Sequence, residues 1–277
     1  MTSGTLTLVA TPIGNLADIT ARAVEALANA AIVCCEDTRR SGLLLQHLGI
    51  SGKKFLVVNE HTEHDACEEI VTTLHSGSNV ALITDAGTPG ISDPGERVVR
   101  AVIDAGLTVT CTPGPAALIM ALVVSGLSTT RFVFEGFIPR SGSERTQRLN
   151  DIAAEMRTVV IYEAPHRLER TLADLEVICG PLRQVVLARE LTKLHEEFWR
   201  GTLHDAAHHA QTTEPRGEYV VMLEGAKPPA PPTDEELNSA LREELNKGAS
   251  RKDSASRVAA KYGVAKRRVY ELALQLK

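Results

Sequence analysis

The chain has 277 residues, of which 43% are hydrophobic and 4% aromatic, and a net charge of −5. That length can bury one large core or two modest ones, and the acidic balance excludes a generic polyanion binder. The charge is uneven, however: residues 245–277 carry nine Lys and Arg against two acidic residues, so one end suits nucleic acid while the remainder does not.

Apolar runs of strand length alternate with amphipathic runs of helix length. Residues 6–10, 31–35, 55–58, 80–83 and 107–111 read as strands, and residues 21–28 as a helix. The alternation predicts an α/β domain with a largely parallel sheet over residues 1–115. A second cycle has strands at 132–134, 158–162, 184–188 and 219–223 and helical patterns at 144–155 and 168–178. It predicts a second α/β domain over 116–226, open to mixed strand directions. Residues 227–232 form a Pro-rich linker. Residues 233–277 form a helical module in which Thr233 and Glu236 are spaced as a capping box. Within it Gly263 separates two helical stretches, and Lys266, Arg267 and Arg268 open the second. This is helix-turn-helix spacing, shared with plain αα-hairpins, and nucleic-acid contact is the favoured reading.

The cysteines (Cys34, Cys35, Cys67, Cys111, Cys179) show no C-x-x-C pair, and adjacent Cys34 and Cys35 read as buried thiols of a reducing compartment. His61 with His64, and His208 with His209, lack metal-ligand spacing with a third partner, so no metal is expected. No basic-then-apolar leader and no membrane-length apolar run is present, so a soluble, cytoplasmic protein without membrane contact is expected.

Four loops at strand ends carry the unusual residues. They are Ala10-Thr-Pro-Ile-Gly-Asn-Leu16, Glu36-Asp-Thr-Arg39, Asp85-Ala-Gly-Thr-Pro-Gly-Ile-Ser-Asp-Pro-Gly95 and Thr112-Pro-Gly-Pro-Ala-Ala117. In a parallel sheet such loops gather along one edge and enclose a polar cleft. Glycines let backbone approach a ligand closely, and prolines hold the turns. No G-x-G-x-x-G or P-loop pattern occurs, and the four loops contain no lysine. That disfavours a polyphosphate and suits a neutral or zwitterionic ligand held by backbone groups. Asp85 and Asp93 could face a cationic centre or ribose hydroxyls; Asp93 could equally cap a helix beginning near Glu96.

In the second domain, Glu163 and His166 leave a strand and enter a helix, where they face the cleft or simply start the helix. Arg189, Glu190 and Lys193 sit at another strand end, as a site or as a salt-bridged turn. Arg140, Arg145 and Arg148 offer basic contacts nearby, and the low aromatic content excludes base stacking as the main mode of any RNA recognition.

Six motifs in order carry a resemblance. They are Leu8-Val-Ala-Thr-Pro-Ile-Gly-Asn-Leu16, Glu36-Asp-Thr-Arg39, Asp85-Ala-Gly-Thr-Pro-Gly-Ile-Ser-Asp93, Pro113-Gly-Pro-Ala-Ala117, Tyr162-Glu-Ala-Pro-His-Arg167 and Arg189-Glu-Leu-Thr-Lys193. Together they resemble the tetrapyrrole-methylase superfamily of S-adenosylmethionine enzymes (class III methyltransferases), and most closely its ribosomal-RNA branch. The likeness spans roughly residues 6–225, with the helical module appended. It implies two α/β domains with the cofactor in the cleft between them, and a homodimer. It further implies 2′-O-methylation of a cytidine ribose in the decoding region of 16S rRNA, on an assembled small ribosomal subunit. By position it implies cofactor contact at Pro12, Ala86, Gly87, Thr88, Ile91, Ala116, Ala117, Glu163 and Leu191; Asp85 joins them from the loop chemistry. The chain has Gly-Thr-Pro where porphyrin-type relatives carry Gly-Asp-Pro, which argues against a tetrapyrrole substrate.

A ribose hydroxyl is a poor nucleophile and needs help losing its proton. Lys193 or Arg39 is the candidate for stabilising the developing alkoxide, and Glu36 or Glu190 for accepting the proton or orienting its partner. Two other readings stand beside this one: a small-molecule methylase of the same superfamily, and a non-catalytic regulator that senses a metabolite and binds DNA through its C-terminal helices. Charged residues at several strand ends favour an enzyme.

Overall fold

A computed structural model describes residues 3–59, 62–228 and 231–276; His61 and two linker residues, Pro229 and Ala230, lie outside the described residues. The chain divides into two compact units, Met1–Ala226 and Lys227–Lys277.

The first unit opens with β1 (Thr5–Val9), α1 (Ala21–Asn29), β2 (Ile32–Cys35), α2 (Thr38–His47), β3 (Lys54–Val57), α3 (Glu63–His75), β4 (Val80–Leu82), α4 (Glu96–Asp104) and β5 (Thr108–Thr112). The strands form one parallel sheet in the order β3-β2-β4-β1-β5. Every residue of β2 and β4 is buried, as a central strand covered on both faces requires. Alternate side chains enter separate cores. Leu6, Cys34 and Leu82 join Ile70, Leu74 and Val98 on one face, while Val9, Val33 and Ala81 join Ala23 and Leu27 on the other. All five cysteines are free thiols; Cys34 and Cys35 are buried, and burial pushes both thiols up.

After α5 (Ala117–Ser125) come β6 (Phe132–Phe137), α6 (Gly142–Ala154), β7 (Thr158–Glu163), α7 (Pro165–Cys179), β8 (Gln184–Arg189), β9 (Glu197–Thr202), α8 (Leu203–Thr212) and β10 (Tyr219–Leu223). They build a mixed sheet, β6-β7-β10-β8-β9, parallel only between β6 and β7. Because β10 runs against β7 and β8, its first residue, Tyr219, pairs with the last residues of both, Glu163 and Arg189. Three strand ends therefore meet at one edge. Strand β9 falls outside the sequence expectation: its Glu, Arg and Gly break the apolar alternation, and it needs only β8 as a neighbour. Leu118, Ala121 and Leu122 of α5 pack on Val160, Val186 and Val220, so this helix belongs to the second sheet.

The second unit is a three-helix module of α9 (Asp234–Asn246), α10 (Arg251–Tyr262) and α11 (Lys266–Gln275), with its own core of Leu237, Leu241, Val258, Val269 and Leu272. Thr233 and Glu236 form the expected capping box. Gly263 ends α10 in the left-handed conformation, φ 64°, which favours glycine. Arg268 turns inward to Asp234 (2.6 Å) and the Pro232 carbonyl (3.0 Å). Among the described residues no helix is long and apolar enough to cross a membrane.

One helix end depends on a distant residue. The N-cap of α4 is Gly95, φ 140°, which has no side chain to offer. Glu63, buried at the start of α3, supplies the missing acceptor: its Oε1 receives the amides of Gly95 (3.0 Å), Arg97 (2.9 Å) and Val98 (3.3 Å). Asp93 therefore does not cap this helix. Glu63→Ala is expected to lower the unfolding free energy by about 1–3 kcal/mol, because buried donors lose a charged partner. Glu63→Gln keeps an acceptor oxygen and is expected to lose less; denaturant titration of both variants checks the order.

Candidate active site

The loops leaving the first sheet are tied to one another. Thr11 and Gly87 exchange backbone hydrogen bonds (2.9 and 3.1 Å), joining the first loop to the third. Gly87 sits at φ 86°, a conformation that costs a glycine little. Glu36 Oε1 accepts the Asp85 amide (3.2 Å), and the Thr88 hydroxyl donates to the Pro115 carbonyl (3.0 Å). The Asp85 loop thus holds the other three.

Opposite stands the edge where β7, β8 and β10 meet. Gly14 approaches the 191–193 segment so closely that an added Cβ would lie 2.4 Å from Lys193 Cγ and 3.2 Å from the Leu191 carbonyl oxygen. That segment is strained: Glu190 and Thr192 have φ of 51° and 65° without being glycine. Ion pairs and hydrogen bonds hold it there. Lys193 Nζ lies 2.8 Å from Glu190 Oε1 and 2.8 Å from Glu218 Oε2, and the Glu218 amide donates to Glu190 Oε1 (3.0 Å). The Lys193 and Glu218 donors hold the Glu190 carboxyl below its ordinary value although burial opposes them.

Beneath the same edge lies a buried polar network. The Glu163 carboxylate accepts the Ala164 amide (2.9 Å) and the Thr171 hydroxyl (2.6 Å) and pairs with Arg167 (3.1 Å). Arg167 also donates to the Ile138 carbonyl. Arg145, buried, binds Asp174 (2.7 Å), Thr171 and the Pro139 carbonyl, tying the chain after β6 to α7.

Between these walls is a cavity of about 510 Å³. Ile13, Ala86, Ala116, Ala188, Leu191 and Val220 give it an apolar side. Glu36, Asp85 and Asp93 give it an acidic one, with Arg40 3.1 Å from Asp85 Oδ2. Asp85 Oδ1 is buried without a hydrogen-bond partner among the described residues. Burial, then the charges of Glu36 and Asp85, push the Asp93 carboxyl up to about 7. The Tyr162 hydroxyl accepts the Leu118 amide (3.1 Å), and its ring meets Phe134 and Phe137 edge-on. Burial pushes the Tyr162 phenol up.

Of the residues singled out in the sequence, Glu36, Asp85, Ala86, Gly87, Thr88, Ile91, Ala116, Ala117, Glu163 and Leu191 all line this cavity, as do Asp93 and His166. Pro12 does not; its neighbour Ile13 does. Arg39 also stands away from the cavity. Its side chain is 88% exposed and forks onto Asp37, which also caps α2, while Arg40 one residue on reaches the cavity. Glu190 and Lys193 are not among the lining residues and act on the wall through Leu191 and Glu218. Arg148 pairs with Glu135, so neither it nor Arg145 is an unpaired cation. Sequence reasoning missed Arg40, Phe137, Tyr162 and the Glu218–Val220 stretch. The register of β10 against β7 and β8 puts the last of these at the cavity, and that pairing has no sequence motif.

The profile of the tetrapyrrole (corrin/porphyrin) methylases matches residues 5–207. A protein of Synechocystis sp. named ribosomal RNA small subunit methyltransferase I is 45% identical over 275 residues, covering 99% of this chain and 98% of its own. A protein of the same name from Haemophilus influenzae is 42% identical, covering 98% and 97%. The crystal structure of uroporphyrin-III C-methyltransferase from Thermus thermophilus complexed with S-adenosylhomocysteine superposes with a TM-score of 0.57 at 17% identity, covering 80% of this chain and 97% of that one. Likeness to these relatives over nearly the whole chain makes this protein a methyltransferase. The chain belongs to the tetrapyrrole methylase family.

Gly14→Ala is expected to force the 191–193 segment off the first sheet's loops. It should weaken binding of S-adenosylhomocysteine at least tenfold by calorimetry while leaving the second unit's helices intact by circular dichroism.

Proposed function

We propose that this protein transfers methyl groups from S-adenosylmethionine to small-subunit ribosomal RNA, on the 2′ oxygen of a cytidine ribose in the decoding region of 16S rRNA. The observation that carries this reading is similarity over nearly the whole chain, helical module included, to relatives bearing the small-subunit methyltransferase name.

The residues present fit the donor. A cavity of about 510 Å³ is of the size that takes a nucleoside-sized ligand. Its alanines and Leu191 suit a purine and a thioether, and the partnerless Asp85 Oδ1 suits a ribose hydroxyl or an ammonium. Asp85, Ala86, Gly87, Thr88, Ile91, Ala116, Ala117, Glu163 and Leu191 form the holding surface, with Pro12 setting the turn that presents Ile13. The Thr88 hydroxyl and the Glu163 carboxylate are engaged within the protein, so these two positions act through main chain and shape. When bound, the donor supplies a methyl group on a positively charged sulfur.

The chain's own part is positioning. In-line approach of the hydroxyl to the methyl carbon supplies much of the rate, and the tied loops keep that geometry. Arg40, in the first turn of α2, supplies the positive charge expected of the neighbouring 36–39 loop, since Arg39 is turned onto Asp37. Lys193 and Glu190 are positioning residues that maintain the strained turn around Leu191. Glu36 orients the Asp85 loop.

Two partners complete the reading. The three-helix module contacts rRNA through exposed basic residues such as Arg267, 91% exposed, at the start of α11. The protein forms a homodimer through α5, whose outer side leaves Ile119, Val123 and Val124 exposed beside the residues that cover the second sheet. The setting is the cytoplasm, where ribosomal subunits are made.

Labelled methyl transfer to small subunits lacking the modification, followed by nucleoside mass analysis, tests donor, acceptor and atom together. A 2′-O-methylcytidine product is expected, and methylation of a tetrapyrrole or no turnover would refute the reading. In the same assay Arg40→Ala is expected to lose at least tenfold in rate and Arg39→Ala less than twofold. Deleting residues 233–277 is expected to weaken subunit binding and flatten its salt dependence while leaving cofactor affinity unchanged. Val123→Glu is expected to shift the sedimenting species from dimer to monomer.

A further inference from the structure

The 2′ oxygen and the base of a nucleotide are attached to adjacent carbons of the ribose. An acceptor whose hydroxyl reaches the donor's methyl group therefore brings its base to the same cavity. A cavity of about 510 Å³ that also holds the donor has no room for a stacked strand. The acceptor nucleotide enters singly, and its base loses the stacking of its neighbours. An aromatic face offsets that loss for any base.

Three Phe and Tyr rings line the cavity among the described residues. Tyr219 packs on the core of the second sheet, and Tyr162 is held by the Leu118 amide and two ring contacts. Phe137 differs, because it is 52% exposed.

A bulge sets its place. On one face of β6 Val133 packs with Leu149 and Leu172, and on the other Phe134 packs with Val160 and Val186. Strict alternation would send Phe137 to the first face and Ile138 to the second. Glu135 is the extra residue: Phe134 pairs with Val160 and Gly136 with Ile161, while Arg148 holds the Glu135 carboxylate (2.7 Å). Gly136, at φ 61°, takes the turn that a side chain would resist. The bulge thus exchanges the two side chains. Ile138 fills the core, and Phe137 stands against Tyr162 (5.8 Å between ring centres) at the cavity. Giving the core site to isoleucine and leaving the ring half in water forgoes apolar burial, so the exchange serves the cavity rather than the fold. The backbone beyond is fixed from α6 and α7, where Arg145 donates to the Pro139 carbonyl and Arg167 to that of Ile138. Arg140 follows, exposed and without an ion-pair partner among the described residues.

We propose that Phe137 is the platform on which the base of the acceptor cytidine stacks while its ribose meets the donor, with Arg140 contacting an adjoining phosphate. The inference rests on the methyl-transfer reading of the cavity and names how that site holds its acceptor. One ring at the reacting nucleotide leaves most of the RNA affinity to charge, as an aromatic content of 4% requires. Every base has a π face, so the contact places the nucleotide without choosing its identity.

Full-length variants at both positions test it. Methyl transfer to small subunits lacking the modification, at saturating S-adenosylmethionine, is expected to fall about tenfold or more in kcat/KM for Phe137→Ala and Phe137→Leu. The leucine variant keeps apolar bulk and loses only the ring. Phe137→Tyr and Phe137→Trp restore an aromatic face and are expected to recover most of the rate. Binding of S-adenosylhomocysteine by calorimetry is expected to change less than twofold in all four, which also reports that the cavity is intact. Arg140→Ala is expected to weaken subunit binding and reduce its salt dependence, again without effect on S-adenosylhomocysteine.

A Phe137→Leu protein as active as wild type would overturn the inference. So would a loss of rate matched by weaker S-adenosylhomocysteine binding, which would make the ring part of the donor pocket. A loss shared equally by the tyrosine and tryptophan variants would make Phe137 a packing residue instead. A wild-type protein that transfers no methyl to small subunits would overturn the substrate reading and this inference together; an active wild type with an unaffected leucine variant would overturn this inference alone.

Discussion

Thr11 and Gly87 exchange a pair of backbone hydrogen bonds between loops that leave neighbouring strands β1 and β4. Backbone donors and acceptors in loops must find partners or meet water, and here each loop supplies the other's. The pair fixes the Asp85 loop, which in turn receives Glu36 through the Asp85 amide and holds Pro115 through the Thr88 hydroxyl. A surface made of four separate turns behaves as one rigid wall. Little ordering entropy then remains to be lost when a ligand arrives, which is the advantage of a preorganised site.

Rigidity of this kind is set against local cost. Ser92, Glu190 and Thr192 are the non-glycine residues at positive φ among those described, and all three lie at or beside the cavity. Each such position costs on the order of 1–3 kcal/mol and persists only where surrounding packing over-determines it. The large core of β7, β8, α7 and α8, built on Ile161, Leu172, Leu175, Leu187 and Leu203, is the reserve that offsets it. Glu36, Asp85 and Asp93 add like-charge repulsion, and Arg40 pairs with Asp85. Strain and repulsion concentrate around the cavity.

Much of this was legible in residue order. Strand-length apolar runs alternating with helical ones identify the parallel sheet, and the Pro- and Gly-rich loops after β1, β4 and β5 mark its working edge. The Thr233–Glu236 spacing and Gly263 locate the ends of α9 and α10. What stayed hidden was long-range. Arg39 and Arg40 are adjacent and alike, and only Asp37 competing for the first decides which reaches the cavity. Glu63 reads as a surface residue in a polar stretch, yet it caps a helix that begins at Glu96. Tyr219 and Val220 look like ordinary strand residues until antiparallel pairing sets them beside Glu163 and Arg189.

The same contacts bear on why position 88 is threonine. The hydroxyl of Thr88 donates to the Pro115 carbonyl and so closes the wall between the third and fourth loops. An ionised aspartate there has no proton to donate, and would set a carboxylate against a carbonyl oxygen. It would also bring another negative charge to a cavity already lined by Glu36, Asp85 and Asp93, two of which raise the third. The Gly-Thr-Pro spelling and the acidic cluster are thus coupled: a neutral donor at 88 keeps the loops joined without driving Asp93 further toward its neutral form. The remaining positions of that wall, Ala86, Gly87, Ala116 and Ala117, carry no polar side chains at all, so they offer the cavity only main-chain groups and shape. The cavity is thus bordered by main-chain groups on one side and by carboxylates on another.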